Sequence, residues 1–182
     1  MIVYHGSDSN FKKLRIAKEL VKNSSTMLNE GMGIYFFTNK EQTQSYGKYL
    51  YVLEINDRCL ADFRNPKVCE NYYESILSMI MSKFDLNIRN YFRELDISSM
   101  LSSGRLSINS LGSEMADILD SKYEFYNSTT ETEREKIYRA LRKFVKDNLK
   151  AYMFPYHLEN VGVIKDVSDN VVRIIDKQKR YW

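Results

Sequence analysis

The sequence predicts an α+β fold, with a mostly antiparallel sheet assembled from both ends of the chain and a helical insertion at 66–150. Three observations carry this. Residues 1–60 hold the short apolar runs Ile2–Tyr4, Ile34–Phe37 and Leu50–Ile55. Residues 66–150 change to apolar positions recurring at three and four, the helical period. After Asn148, β-like runs return at Ala151–His157, Val161–Ile164 and Val171–Ile175.

Each element has local support. Between the second and third runs, Asn39 is placed to cap a short helix, with Gln42 three residues on completing a capping-box-like pair and Gly47 at its C-terminal exit. In the insertion, Tyr72, Tyr73, Ile76, Leu77, Ile80, Met81 and Phe84 form one stripe over Glu70–Phe84. Ile88, Tyr91, Phe92 and Leu95 repeat the pattern in a second helix. Ser113 opens a third, with Met115, Ile118, Leu119, Tyr123 and Tyr126 on one face. Thr130 and Glu133 form a capping box for a fourth, whose face is Ile137, Leu141, Phe144 and Val145. The opposite face, with Arg139, Arg142, Lys143 and Lys146, reads as solvated. Pro155 puts the strand at Ala151–His157 at an edge or bend. The Asp166–Asn170 stretch suits a hairpin turn between the last two strands.

Composition bounds the class. With 43% hydrophobic and 28% charged residues over 182 positions, the chain reads as one globular domain, residues 1–182. The net charge of +3 is small and the cations are dispersed among nearly as many acids, so nucleic acid is not indicated as a partner. Cys59 and Cys69 are too few and too close for a disulfide framework. With no leader-like start and no long apolar run, the expectation is a cytoplasmic setting and no membrane. No His, Cys and Asp cluster has metal-ligand spacing, so no metal is expected.

The motifs with chemical content lie at the front. Ile2-Val3-Tyr4-His5-Gly6-Ser7 is followed by Gly31-Met32-Gly33-Ile34-Tyr35-Phe36-Phe37-Thr38, then Tyr46-Gly47 and the run Tyr49–Ile55. A Gly-x-Gly alone is no dinucleotide fingerprint, since the third glycine and the long following helix are missing. The order strand–His–Gly–Ser, Gly-x-Gly-Ile-Tyr-Phe, short helix, strand resembles the NAD-binding half of ADP-ribosyltransferases of the His-Tyr-Glu type. That group includes diphtheria-toxin-like and poly(ADP-ribose) polymerase-like enzymes and many phage-encoded relatives. The resemblance covers residues 1–60 and implies a split sheet with an NAD cleft.

It also implies roles. His5 would hydrogen-bond the adenosine ribose, and Gly6, with Ser7 beside it, would present main chain to the nicotinamide amide, where a missing Cβ admits a flat ring. Gly33 would supply a flexible turn before Tyr35, which stacks on the nicotinamide, and Tyr46 would add a second stacking face. His5 and Tyr35 are then expected on adjacent central strands, facing one cleft. Cleavage of the nicotinamide–ribose bond passes through an oxocarbenium-like state, which a carboxylate stabilises. Glu159, just before Asn160-Val161-Gly162-Val163-Ile164, is the best match to the family's late glutamate. Asp166 and Asp169 are rivals, and alignment on Asp166 would put Val161 at the catalytic place. His157 reads as structural.

The function this implies is mono-ADP-ribosyl transfer from NAD to a macromolecule, with a protein as the natural target and a toxin-like phage or mobile-element effector as the setting. Two alternatives stay open: an NAD glycohydrolase toxin that transfers to water, and a catalytically inactive fold acting as a protein-binding inhibitor.

Overall fold

A computed structural model describes residues 1–16, 33–156 and 159–180, without the side chains of Lys146 and Glu159. Gly31, Met32 and His157 therefore lie outside the described residues. The chain divides into two compact units, Met1–Phe63 joined with Leu149–Trp182, and Arg64–Asn148.

The first unit is a seven-stranded sheet: β1 (Ile2–Ser7), β2 (Ile34–Phe37), β3 (Tyr49–Ile55), β4 (Leu60–Asp62), β5 (Ala151–Tyr156), β6 (Glu159–Ile164) and β7 (Val172–Lys179). Their spatial order is β4-β5-β6-β2-β1-β3-β7, so strands from the two ends of the chain interleave. Every neighbouring pair is antiparallel except β4 with β5. The α+β class is thus as expected, with a mixed sheet.

Alternation along the strands sorts the side chains. The registers Val3–Leu53, His5–Tyr51, Ile34–Ile164 and Phe36–Gly162 define one face. Val3, Ile34, Phe36, Tyr51, Leu53, Ile55, Ala151, Met153, Ile164 and Val172 form a buried core on it. The registers Tyr4–Phe37, Tyr35–Val163 and Phe37–Val161 define the other, where Phe37, Leu50, Tyr152, Phe154, Val161 and Val163 are also buried.

Two local expectations are corrected, and the edge placement of Pro155 holds locally. The hairpin between the last two strands does not form: β6 pairs with β2 and β5, whereas β7 crosses to the far side and pairs with β3. Residues 166–170 hold a local turn, with the Val171 N–H bound to the Ser168 carbonyl at 2.9 Å, but it joins no hairpin, because Val161 and Val163 find their rungs on β2. Pro155 sits within β5 opposite Asn160, two residues past the last β4 rung at Met153, so the bond it cannot donate is not needed there. The helix expected after Asn39 is a single 3₁₀ turn at Glu41–Thr43. Asn39 Oδ1 accepts the Glu41 N–H at 3.0 Å, but Gln42 Oε1 is buried without a hydrogen bond, so the reciprocal half of the box is missing.

The second unit holds α1 (Pro66–Phe84), α2 (Ile97–Ser102), α3 (Leu111–Asp120), α4 (Tyr123–Ser128) and α5 (Glu131–Asp147). Asn65 caps α1 through its Oδ1, with Pro66 at the first position where its missing N–H costs nothing. The stripe of α1 buries Ile76, Leu77 and Ile80. The second expected helix is instead a 3₁₀ turn at Arg89–Phe92. The third begins at Leu111, ahead of Ser113, and ends at Asp120, so α3 and α4 are separate. Tyr123 and Tyr126 are 81% and 50% exposed, away from the face that buries Met115 and Leu119. Tyr126 instead carries the Arg134 guanidinium on its ring, 3.9 Å from the centroid. The Thr130–Glu133 capping box is fully formed. Among the described residues no helix is long and apolar enough to cross a membrane.

Removing the Thr130 hydroxyl leaves the Glu133 N–H unsatisfied and frees the carboxylate that closes the box. Thr130→Ala is expected to lower the stability of this unit by about 1 kcal/mol, read from urea denaturation by circular dichroism. An unchanged midpoint would mean water replaces the cap without loss.

Candidate functional site

The site residues cluster where β1 and β2 begin to part. The two strands share the rung Tyr4–Phe37, whereas β1 keeps six rungs with β3 and β2 keeps four with β6. Thr38 N–H donates to Asn160 O on the β6 side, so by alternation the backbone groups of Phe37 and Tyr35 turn toward β1. One step beyond the last rung, the Tyr35 carbonyl meets His5 Nδ1 at 2.7 Å.

That contact fixes the tautomer, because a carbonyl only accepts: Nδ1 carries the proton and donates it. Burial pushes the His5 pKa below its ordinary 6.5, overriding the bond to Tyr35 that would raise it. The half-buried ring is therefore neutral at neutral pH. Its Nε2 is then a lone-pair acceptor, suited to a hydroxyl group such as a ribose offers.

The expectation that His5 and Tyr35 face one cleft is corrected. Their strands are adjacent, but alternation sends the two side chains to opposite faces. His5 lies with Phe11 and Tyr51, ring centroids 6.2 Å from each. Tyr35, half-buried, meets Phe154 edge-on at 6.4 Å on the other face. The residues touch only through the Tyr35 main chain. The sequence spacing fixed which strands were involved but carried no register between them.

Gly6, Tyr35 and Tyr46 do gather on one face. Gly6 stands one step past the Tyr4–Phe37 rung, in line with Tyr35. A Cβ on Gly6 would lie 1.9 Å from Tyr46 O, so the glycine is required by the main chain of Tyr46 packed upon it. This accounts for Gly6 without a ligand. The Tyr46 ring is 39% exposed and tilts against Phe37 at 5.1 Å, which presents an aromatic edge to solvent. Gly47 follows with φ +77, a left-handed conformation that turns the chain into β3 and favours glycine. Gly33 is also a packing glycine, since its Cβ would lie 2.3 Å from Val163 Cγ2. Ser7 Oγ accepts the Ser9 N–H at 3.1 Å, an internal turn contact.

The carboxylates are less favourably set. Glu159 opens β6 in register with Tyr156, and its side chain lies outside the described residues. Its backbone is four residues from Val163, the residue opposite Tyr35, roughly 13 Å at a rise of about 3.3 Å per residue. Asp166 is three residues past Val163 in the other direction. It is bound up with its own turn: the Ser168 hydroxyl beside it, although not aligned as a hydrogen bond, and the Ser168 N–H at 2.9 Å hold its carboxyl below the usual carboxylate range. Asp169 borders a surface cavity with Met1, Glu54, Asp57 and Arg173 at the other side of the sheet. Val161 and Val163, opposite Phe37 and Tyr35, are fully buried. Among the described residues no group of acids, histidines and cysteines could hold a metal ion.

Three contributors carry no sequence signal, because their partners are distant along the chain. Arg180 binds the carbonyl and hydroxyl of buried Thr43 through its guanidinium, and so anchors the 3₁₀ turn that leads to Tyr46. Tyr51 donates to Ser9 O at 2.8 Å and accepts the Phe11 N–H at 2.9 Å. Phe11 stacks on Tyr51 at 4.0 Å, fixing the loop after β1 against His5.

No family model and no curated protein matches the chain. A crystal structure of an anti-CRISPR protein resembles it with 13% identity and a TM-score of 0.42, covering 96% of this chain and 95% of that one.

The lowered His5 pKa sets the sign of a pH effect. The unfolded state binds the proton first, so the contribution of neutral His5 is whole above about 6.5 and drains as pH falls toward the folded value. Urea midpoints for wild type and His5→Gln should therefore differ most near neutrality and converge on acidification. Parallel curves would mean that His5 titrates alike in both states.

Proposed function

We propose that the sheet unit binds NAD and transfers its ADP-ribose to a macromolecular acceptor, most naturally a protein side chain. The observation that carries this reading is the meeting of His5 Nδ1 with the Tyr35 carbonyl at the parting of β1 and β2. It supports a fixed acceptor nitrogen for a ribose hydroxyl; the Tyr35 and Tyr46 rings assigned to the nicotinamide lie on the opposite face of the sheet, which counts against one cleft holding both. The ADP-ribosyltransferase-like fold of the split sheet belongs to the same proposal. Glu159 is its acid, reaching the reacting bond only if the substrate extends along β6.

A second reading has a specific observation in its favour. The strand beside β2 sets valines opposite Tyr35 and Phe37, where an oxocarbenium-like state wants charge. An NAD-binding fold without turnover, used as a protein-binding inhibitor, fits that rung better.

Labelled NAD separates the readings. Transfer predicts label in acceptor protein, and Glu159→Gln should then keep NAD affinity but lose about a hundredfold in rate, near 2.7 kcal/mol of barrier. Loss assigned instead to Asp166→Asn would move the acid. Nicotinamide release without an acceptor would make the protein a glycohydrolase, and binding without either product would support the inhibitor. In calorimetry, Tyr35→Ala should weaken NAD binding about fivefold, the worth of one aromatic stack. Equal affinity in a folded Tyr35→Ala variant, or no NAD binding by wild type, overturns the nicotinamide assignment.

A further inference from the structure

The loop after β1 borders a cavity of about 330 Å³ lined, among the described residues, by Asn10, Phe11, Lys12, Lys13 and Arg15. Lys12, Lys13 and Arg15 are all exposed, and none makes an ion pair with a described residue. Three cations within four residues repel one another, and among the described residues no ion pair offsets that repulsion. A surface selected only for solubility intersperses the two signs instead.

The loop is also held in place before any ligand arrives. Ser9 N–H is bound by Ser7 Oγ, Lys48 N–H by Asp8 Oδ1, and Phe11 N–H by Tyr51 Oη, at 3.1, 3.3 and 2.9 Å. The Phe11 ring lies flat on Tyr51, 5° from parallel. Asp8, the acid nearest in the loop, is occupied with Lys48 and does not line the cavity. Asn10 Oδ1 accepts from Lys177 Nζ at 2.7 Å. A lysine only donates, so this bond orients the Asn10 amide and leaves its NH₂ as a donor.

We propose that this cavity is a binding site for a diphosphate group. Such a ligand carries several negative charges and many acceptor oxygens, which match two ammonium groups, an oriented amide donor and a guanidinium able to bind two oxygens at once. The volume is at the lower end of small-molecule sites, about 300–1,000 Å³, and holds a diphosphate rather than a whole dinucleotide. The ring of Phe11 bridges the cavity to His5, 6.2 Å away, so the sugar of a nucleotide held here would lie toward Nε2. That the diphosphate belongs to NAD rests on the dinucleotide reading above; the anion site itself does not.

The test is calorimetric titration of the full chain with inorganic pyrophosphate, repeated with NAD and with a short single-stranded oligonucleotide. The Lys12→Ala/Lys13→Ala/Arg15→Ala variant should lose pyrophosphate affinity by about tenfold or more. A control removing equal charge from the helical unit, Lys83→Ala/Lys136→Ala/Lys143→Ala, should change it less than about twofold. Asn10→Asp, which keeps the side-chain shape but replaces the donor by a carboxylate, should also weaken binding and guards against misfolding of the triple variant. Equal losses in the two triple variants, or no pyrophosphate binding by wild type, would overturn the site. Oligonucleotide binding that needs the loop cations while pyrophosphate does not bind would also overturn it, in favour of a polyanion surface. Loop-dependent pyrophosphate binding without NAD binding would sustain the anion site and remove the NAD reading. NAD binding that depends on Tyr35 but not on the loop cations would overturn the diphosphate site and keep the NAD reading.

Discussion

The parting of β1 from β2 is the constraint from which the rest of the candidate site follows. A sheet rewards continued pairing, because each unpaired backbone carbonyl in a half-buried place costs free energy. Beyond the Tyr4–Phe37 rung, the imidazole of His5 donates to the Tyr35 carbonyl. That histidine is locked in one tautomer and held neutral, and this state gives Nε2 its character as an acceptor. Structure and chemistry meet at one hydrogen bond.

Alternation then divides what the sequence motifs place side by side. Consecutive residues His5 and Gly6 belong to opposite faces, so the imidazole and the Gly6–Tyr35–Tyr46 group are separated by the sheet itself. On the imidazole side lie Phe11, Tyr51 and the cationic loop. On the other, Tyr46 is pressed on Gly6 and held from behind by Arg180 through Thr43.

The helical unit obeys different physics. Its stability comes from apolar stripes and capped ends rather than from long-range registers. The cap at Asn65 and the box at Thr130 are satisfied within three residues of sequence. Where a stripe ran on past a break, as from Leu119 to Tyr126, the helix stopped and the tyrosines turned outward. Period alone did not mark the stop at Ser121, which has neither glycine nor proline to announce it.

By itself the sequence determined what depends on near neighbours. The α+β class, strands β1, β2 and β3, the long helices α1 and α5 and the Thr130 box were all legible from periods and short-range hydrogen-bonding residues. The resemblance of residues 1–60 to the His-Tyr-Glu ADP-ribosyltransferases singled out His5, Gly6, Tyr35 and Tyr46 as candidates. Tertiary structure alone decided which strands pair, because Val161 and Val172 look alike in sequence while one pairs with β2 and the other with β3. It decided that His5 and Tyr35 face apart, since a register shift of one residue would reverse that outcome and leave every motif intact. It brought Arg180 to Thr43 and Lys177 to Asn10 across almost the whole chain. Contacts between residues so far apart leave no periodic trace in sequence, because their closeness is set by sheet order and not by any local preference of the backbone.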